Sequence, residues 1–250
     1  VTFKENVDLG GERATNKNPF TPISTIGTLN GSDKTIYNLY VNVTNWIGGF
    51  INASSGTTVH KNLNFSNSSV LVKPSSGSEL AYAATLCAYI EGTYTAENVK
   101  IDNAYVLGIS KSGGLNGYVT SGATFYTAKT SSVNNLRLEN SYLHLTGQTF
   151  AASGEMGGLV GFIQQSALVE SCNVTNSVIN CSNSLLRHVN QFIGTIRLDN
   201  SSHRIDINKC SVSGNTYEND KDEKSKFVGG YSLSSLLQRG KVYIDGSRLR

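Results

Sequence analysis

Asn98-Val99-Lys100-Ile101-Asp102-Asn103-Ala104-Tyr105-Val106 lies between two near copies of itself. These are Asn62-Leu63-Asn64-Phe65-Ser66-Asn67-Ser68-Ser69-Val70 and Asn135-Leu136-Arg137-Leu138-Glu139-Asn140-Ser141-Tyr142-Leu143. Weaker copies begin at Cys172, Cys210 and Val242, so the first apolar position recurs at 63, 99, 136, 172, 210 and 242, in steps of 36, 37, 36, 38 and 32. A period in this range marks a chain of stacked repeats. Inside each copy apolar and polar residues alternate, Val99 and Ile101 against Lys100 and Asp102, which is the period of a strand. The Asn that ends each strand takes a left-handed backbone at low cost, and glycine stands in the same slot at Gly214 and Gly246. Each copy therefore reads as strand, sharp corner, strand.

Stacked in register, the copies build parallel sheets around a central apolar core. A second phrase, Gly48-Gly49-Phe50-Ile51, Leu86-Cys87-Ala88-Tyr89-Ile90 and Gly157-Gly158-Leu159-Val160-Gly161-Phe162 among its copies, is expected to supply one more strand per coil. The fold expected is an all-β, right-handed parallel β-helix, its hand taken from the crossover rule for parallel strands. About seven coils, counting an opening one at Leu39-Tyr40-Val41, would make a column on the order of 30 Å tall at ~4.8 Å per rung. One domain is expected over residues 1–250, with 1–35 as an entry segment. The end inside a repeat calls for a cap from another chain region or a further domain.

The Gly-Gly-Leu-x-Gly runs at 113–117 and 157–161 resemble the GLUG motif of bacterial surface proteins, and the Asn-Leu-x-Phe-x-Asn-Ser strands resemble its usual companion. The opening, with Val7-Asp8-Leu9, Phe20-Thr21-Pro22-Ile23 and Gly27-Thr28-Leu29-Asn30-Gly31, is similar to the start of the same family. The copies at 86–90 and 192–196 depart from the glycine pattern. This resemblance implies a secreted or cell-surface bacterial protein, adhesin-like, with no catalytic residue to carry over.

Composition agrees with that setting. Only 16% of the 250 residues are charged, and 26 are Asn and 31 Ser. The net charge of +3 gives no electrostatic footprint for nucleic acid, so no nucleic-acid partner is expected. No apolar run is long enough to span a membrane. The four histidines, His60, His144, His188 and His203, are scattered without metal spacing, no phosphate loop or nucleophile elbow is present, and neither metal nor cofactor is expected. Cys172 and Cys210 occupy one inward slot a coil apart, where buried free thiols are favoured over a disulfide because stacked strand neighbours seldom have its geometry.

Binding chemistry is expected in two places. Segments of varying length separate the Asn-corner strand from the glycine-rich strand, and Lys73 to Ala81, Gly147 to Gly154, Asn183 to Asn190 and the charged run Glu218 to Lys226 should share one loop-bearing edge. The repeat register also puts three outward pairs side by side: Lys100 with Arg137, Asp102 with Glu139, and Tyr105 with Tyr142. Carboxylates at the ~5 Å strand spacing have the separation used by retaining glycosidases. An exposed pair lacks the pocket that tunes such acids, so an ion-pair ladder is the favoured reading. The two tyrosines suit a glycan or a partner protein, host or microbial. The expected function is a binding or structural module; the alternative is a polysaccharide hydrolase or lyase using Asp102 and Glu139, with Lys100 or Arg137 on an acidic sugar.

Overall fold

The computed structural model describes residues 1–24, 27–75, 82–110, 118–121, 124–127, 131–147, 154–181, 188–196, 198, 202–217, 226–231 and 241–249. Among them every regular element is a strand, and the strands stack in parallel into four sheets. The third coil shows the plan: Thr93–Asp102 lies in the first sheet, Tyr105–Ser110 in the second, Tyr118–Ser121 in the third and Thr124–Thr127 in the fourth. Five coils place a strand in all four sheets. A sixth has described strands in three of them, and only the first sheet continues into a seventh level, at Val242–Ile244. The parallel β-helix is as expected, with a coil count slightly below seven.

The expected register holds at its centre. Val99 pairs with Leu63 below and Leu136 above, and Ile101 with Phe65 and Leu138. All six are at most 1% exposed. Each rung thus buries two apolar side chains from the first sheet, while the residues between them face outward by strand alternation.

Two columns of left-handed residues shape the coil. Asn67, Asn103, Asn140 and Asn176 have φ of 57°, 53°, 50° and 50°, with Gly214 at 64° in the same slot. These form the expected corner. Five positions earlier a second column, Asn62, Asn98, Asn135, Ser171 and Lys209, holds φ between 51° and 55° and bends each long strand of the first sheet. The asparagines also link the coils. The Asn98 amide donates to Asn62 Oδ1 at 3.0 Å, Asn135 donates to Asn98 at 2.9 Å, and at the corner Asn103 donates to Asn67 at 2.7 Å. Serine follows the corner Asn for a related reason: the buried Ser141 Oγ accepts the Ala104 N–H at 3.0 Å, and Ser177 Oγ accepts the Ser141 N–H at 3.1 Å. A backbone N–H left alone in the core would cost about 1–3 kcal/mol.

Four expectations need correction. The glycine-rich phrase supplies two strands rather than one, Gly154–Gly157 in the third sheet and Val160–Ile163 in the fourth, with a corner between them. A Cβ on Gly157 would collide with the Val160 carbonyl and one on Gly158 with that of Gln191, so glycine is required there for close backbone approach. Second, Val242 pairs with Ile205 and Ile244 with Ile207, not with the Cys210 copy, so the last step is 242 − 205 = 37. Third, Gly246 is a hairpin residue: Asp245 and Gly246 have φ of 47° and 77°, and Ser247–Arg248 returns antiparallel to Val242–Ile244. That return covers the open edge of the first sheet. Fourth, insertions occur at two edges. Residues 73–81, 111–117, 148–153 and 182–187 join the second sheet to the third, and 218–227 join the second to the fourth, whereas 197–204 and 232–241 join the fourth to the first. The Gly113–Gly117 motif and most of the four loops named above lie outside the described residues.

At the other end residues 1–24 wrap the first coil. Val7–Asp8 pairs with Ile36 and Tyr37, and Ile23 bridges Ile51, so the long strand Thr28–Tyr37 already belongs to coil one.

Because only glycine and asparagine enter the left-handed region readily, Asn140→Val should destabilise the protein by about 1–2 kcal/mol, and by more than Asn140→Gly. Urea unfolding midpoints of the two variants test this; equal midpoints would remove the conformational constraint from the account of the corner.

Candidate functional site

The outer face of the first two sheets carries the residues named from sequence, and the coil register brings all six together. Lys100 is paired with Arg137, Asp102 with Glu139, and Tyr105 with Tyr142. Strand alternation turns these side chains away from Val99, Ile101 and Val106, which fill the core.

The charges engage diagonally. Lys100 Nζ lies 2.9 Å from Glu139 Oε2, and Asp102 Oδ1 accepts from the Asn140 amide at 2.8 Å. Each carboxylate therefore already has a partner. Arg137 differs: it is exposed, its Nε donates to Asn135 Oδ1 at 3.0 Å, and no carboxylate meets it among the described residues. Arg137 lines a groove of about 230 Å³ together with Asp33, Asn64, Asn98 and Lys100. The left-handed residues Asn98 and Asn135 are themselves part of its lining. An anion entering it would meet a fork of donors suited to bidentate recognition.

The tyrosines are more enclosed than the sequence implied. Their rings stack with centroids 5.4 Å apart and an interplanar angle of 9°. Arg13, from the N-terminal segment, places Cζ 3.7 Å from the Tyr105 ring centroid. Tyr105 is thus held between a guanidinium and Tyr142. The cause lies in the outward column of the second sheet, Tyr40, Ser69, Tyr105, Tyr142, where small Ser69 leaves room for Arg13. The turn carrying Arg13 is fixed by Asn16 Oδ1, which accepts from Tyr40 Oη at 2.7 Å and Asn42 Nδ2 at 3.1 Å. Tyr142 lies between Tyr105 and Val178 of the next rung, with His144 edge-on at 5.9 Å and Asn180 donating to its hydroxyl at 3.4 Å. Sequence reasoning missed Arg13; the turn-forming run Asn16-Lys17-Asn18 was the available signal, since Asn16 and Asn18 have φ of 52° and 48°.

Two further sets of side chains are placed inside the core. His60 is fully buried and shares a hydrogen bond with Tyr94 Oη at 3.1 Å. Cys172 and Cys210 are free thiols stacked a coil apart, as expected. The bond between them raises the Cys172 thiol, reinforced by burial, and lowers Cys210. Burial pushes Cys87 up to about 12. Among the described residues no group of three or more His, Cys, Asp or Glu is placed to hold a metal ion, and no helix is long and apolar enough to cross a membrane. The chain matches no family model, no curated protein and no solved structure.

Removing the cation over Tyr105 should loosen the N-terminal turn. Arg13→Ala is expected to speed amide exchange at Phe20, whose N–H donates to Tyr40 O at 2.6 Å, by roughly two- to fivefold, the scale of one exposed cation–π contact. Unchanged exchange would show that Asn16 alone holds the turn.

Proposed function

We propose that this protein is a secreted or cell-surface bacterial β-helix that acts as a binding and structural module, adhesin-like in the sense suggested by its GLUG-type repeats. Its mechanism is display: a rigid core holds side chains in fixed outward columns, so a ligand loses little to ordering the site. The ligand is a glycan or a protein surface presenting a carboxylate or sulfate to Arg137, with Tyr142 and Lys100 beside it.

The observation that carries this reading is the uncommitted Arg137 fork at the edge of a groove. Tyr142, half-buried between Tyr105 and the Val178 rung, adds an aromatic side chain on the same face. The two carboxylates support binding over turnover: Asp102 is held by Asn140 and Glu139 by Lys100, on an outer face where water is not excluded. A glycosidase acid needs an enclosure that raises its pKa.

An array of acidic oligosaccharides, including oligogalacturonate, hyaluronan and chondroitin sulfate, should show binding that falls about tenfold in Arg137→Ala, as expected for loss of a charge-assisted contact. Asp102→Asn should retain it. Release of new reducing ends or unsaturated products by the wild-type protein, lost in Asp102→Asn, would replace this reading with the enzymatic one.

A further inference from the structure

A second, larger depression of about 380 Å³ lies on the same sheet, on the other side of the bend, and spans coils three to six. Its size falls within the ordinary range for ligand sites. The outward column that runs along it is Thr95, Ser132, Leu168, Asp206, each paired in register with the next. Small hydroxyl residues make the floor. The far wall is Arg204, which binds Asp206 through two contacts of 2.7 Å, Nε to Oδ2 and Nη2 to Oδ1, and lies over the Tyr243 ring at 3.9 Å.

Three features define what fits. The lining charges cancel: Arg204 and Asp206 are the only ionised side chains in it, and each already neutralises the other. The remaining polar surface offers both donors and acceptors, from Thr93, Thr95 and Ser132, from Arg204 Nη1 and from the spare lone pairs of the Asp206 carboxylate. Leu168 is 41% exposed, an apolar patch set among those hydroxyls. A charged ligand would have no counter-ion here. A peptide strand would find no backbone partners, because the N–H and C=O groups of these parallel strands are used within the sheet.

We infer that this depression is a binding subsite for an uncharged oligosaccharide lying across the coils. Sugar hydroxyls donate to Asp206 and accept from Arg204 and the Thr/Ser hydroxyls, while the C–H face of a ring packs on Leu168. Side chains along the column repeat at the ~4.8 Å strand spacing, comparable to the advance of a pyranose chain per residue, so successive sugars meet successive coils. This subsite does not depend on the Arg137 cluster.

The test is titration calorimetry of the full chain with cellohexaose, xylohexaose and mannohexaose, and with oligogalacturonate as the charged counterpart. At least one neutral hexaose should bind. Ser132→Arg, which fills the floor from a half-buried outward position, should weaken that binding about tenfold or more, and Leu168→Glu should do the same with the floor intact. Asp206→Asn, which removes the acceptor offered to sugar hydroxyls and frees the Arg204 charge, should weaken the neutral hexaose and shift preference toward oligogalacturonate; undiminished binding of the neutral hexaose would count against the subsite. Arg137→Ala should leave neutral binding unaltered. The proposal is overturned if no neutral hexaose binds at millimolar concentration, if Ser132→Arg and Leu168→Glu bind as the wild type does, or if Arg137→Ala abolishes the binding. The last result would assign it to the cluster described above.

Discussion

One backbone constraint organises this molecule: the chain enters the left-handed region at two points in almost every turn of the first sheet, and it does so at the same points in successive coils. A right-handed or extended residue at either slot would send the next strand in the wrong direction and misplace the coil above. Asparagine meets both requirements of the slot. It tolerates a positive φ, and its amide both donates and accepts, so each asparagine satisfies one neighbour and is satisfied by another. The Asn62, Asn98, Asn135 series is therefore a conformational column and a hydrogen-bonded column at once.

Register follows from that constraint, and chemistry follows from register. Once Val99 is fixed over Leu63, alternation forces Lys100 beside Arg137 and Asp102 beside Glu139 whatever those side chains are. The bend at Asn98 and Asn135 then divides the outer face into two halves with different character. On one side lie paired charges and an open guanidinium; on the other, hydroxyls and a self-neutralised ion pair. The N-terminal segment adds a third influence, because Arg13 covers the Tyr105 ring that also stacks on Tyr142.

Local, repeated signals were legible in the sequence, and those set by distant or missing bulk were not. Asn67, Asn103 and Asn140 announced the corner, and the paired outward residues followed by counting. The Gly157-Gly158 corner lies inside a phrase that reads as a single strand, because the crowded Val160 and Gln191 carbonyls that require glycine there come from across the corner and from the next coil. Asp245-Gly246 was read as a repeat corner because a hairpin turn and a left-handed corner select the same residues; only the pairing of Val242 with Ile205 distinguishes them. Arg13 over Tyr105 joins positions 92 residues apart, and although Asn16-Lys17-Asn18 marks a turn, nothing local says which rung that turn covers. The depression at Thr95 and Ser132 exists because those side chains are small beside Arg204 and Leu168, and a pattern search finds residues rather than missing volume.

The division between inward and outward columns also explains how such a framework could bear recognition without losing its fold. Inward positions are coupled: Leu136 packs against the coils on both sides, so truncating it to alanine would leave a cavity shared by three rungs, at a cost of about 2–5 kcal/mol. Outward positions touch their rung neighbours and solvent, where an ion pair such as Lys100 with Glu139 contributes at most ~1 kcal/mol. Side chains on the exterior can therefore change identity while the asparagine columns keep their spacing constant. A surface built this way presents its outward side chains at a constant interval, since the strand spacing that stacks the coils is also the spacing of the outward columns.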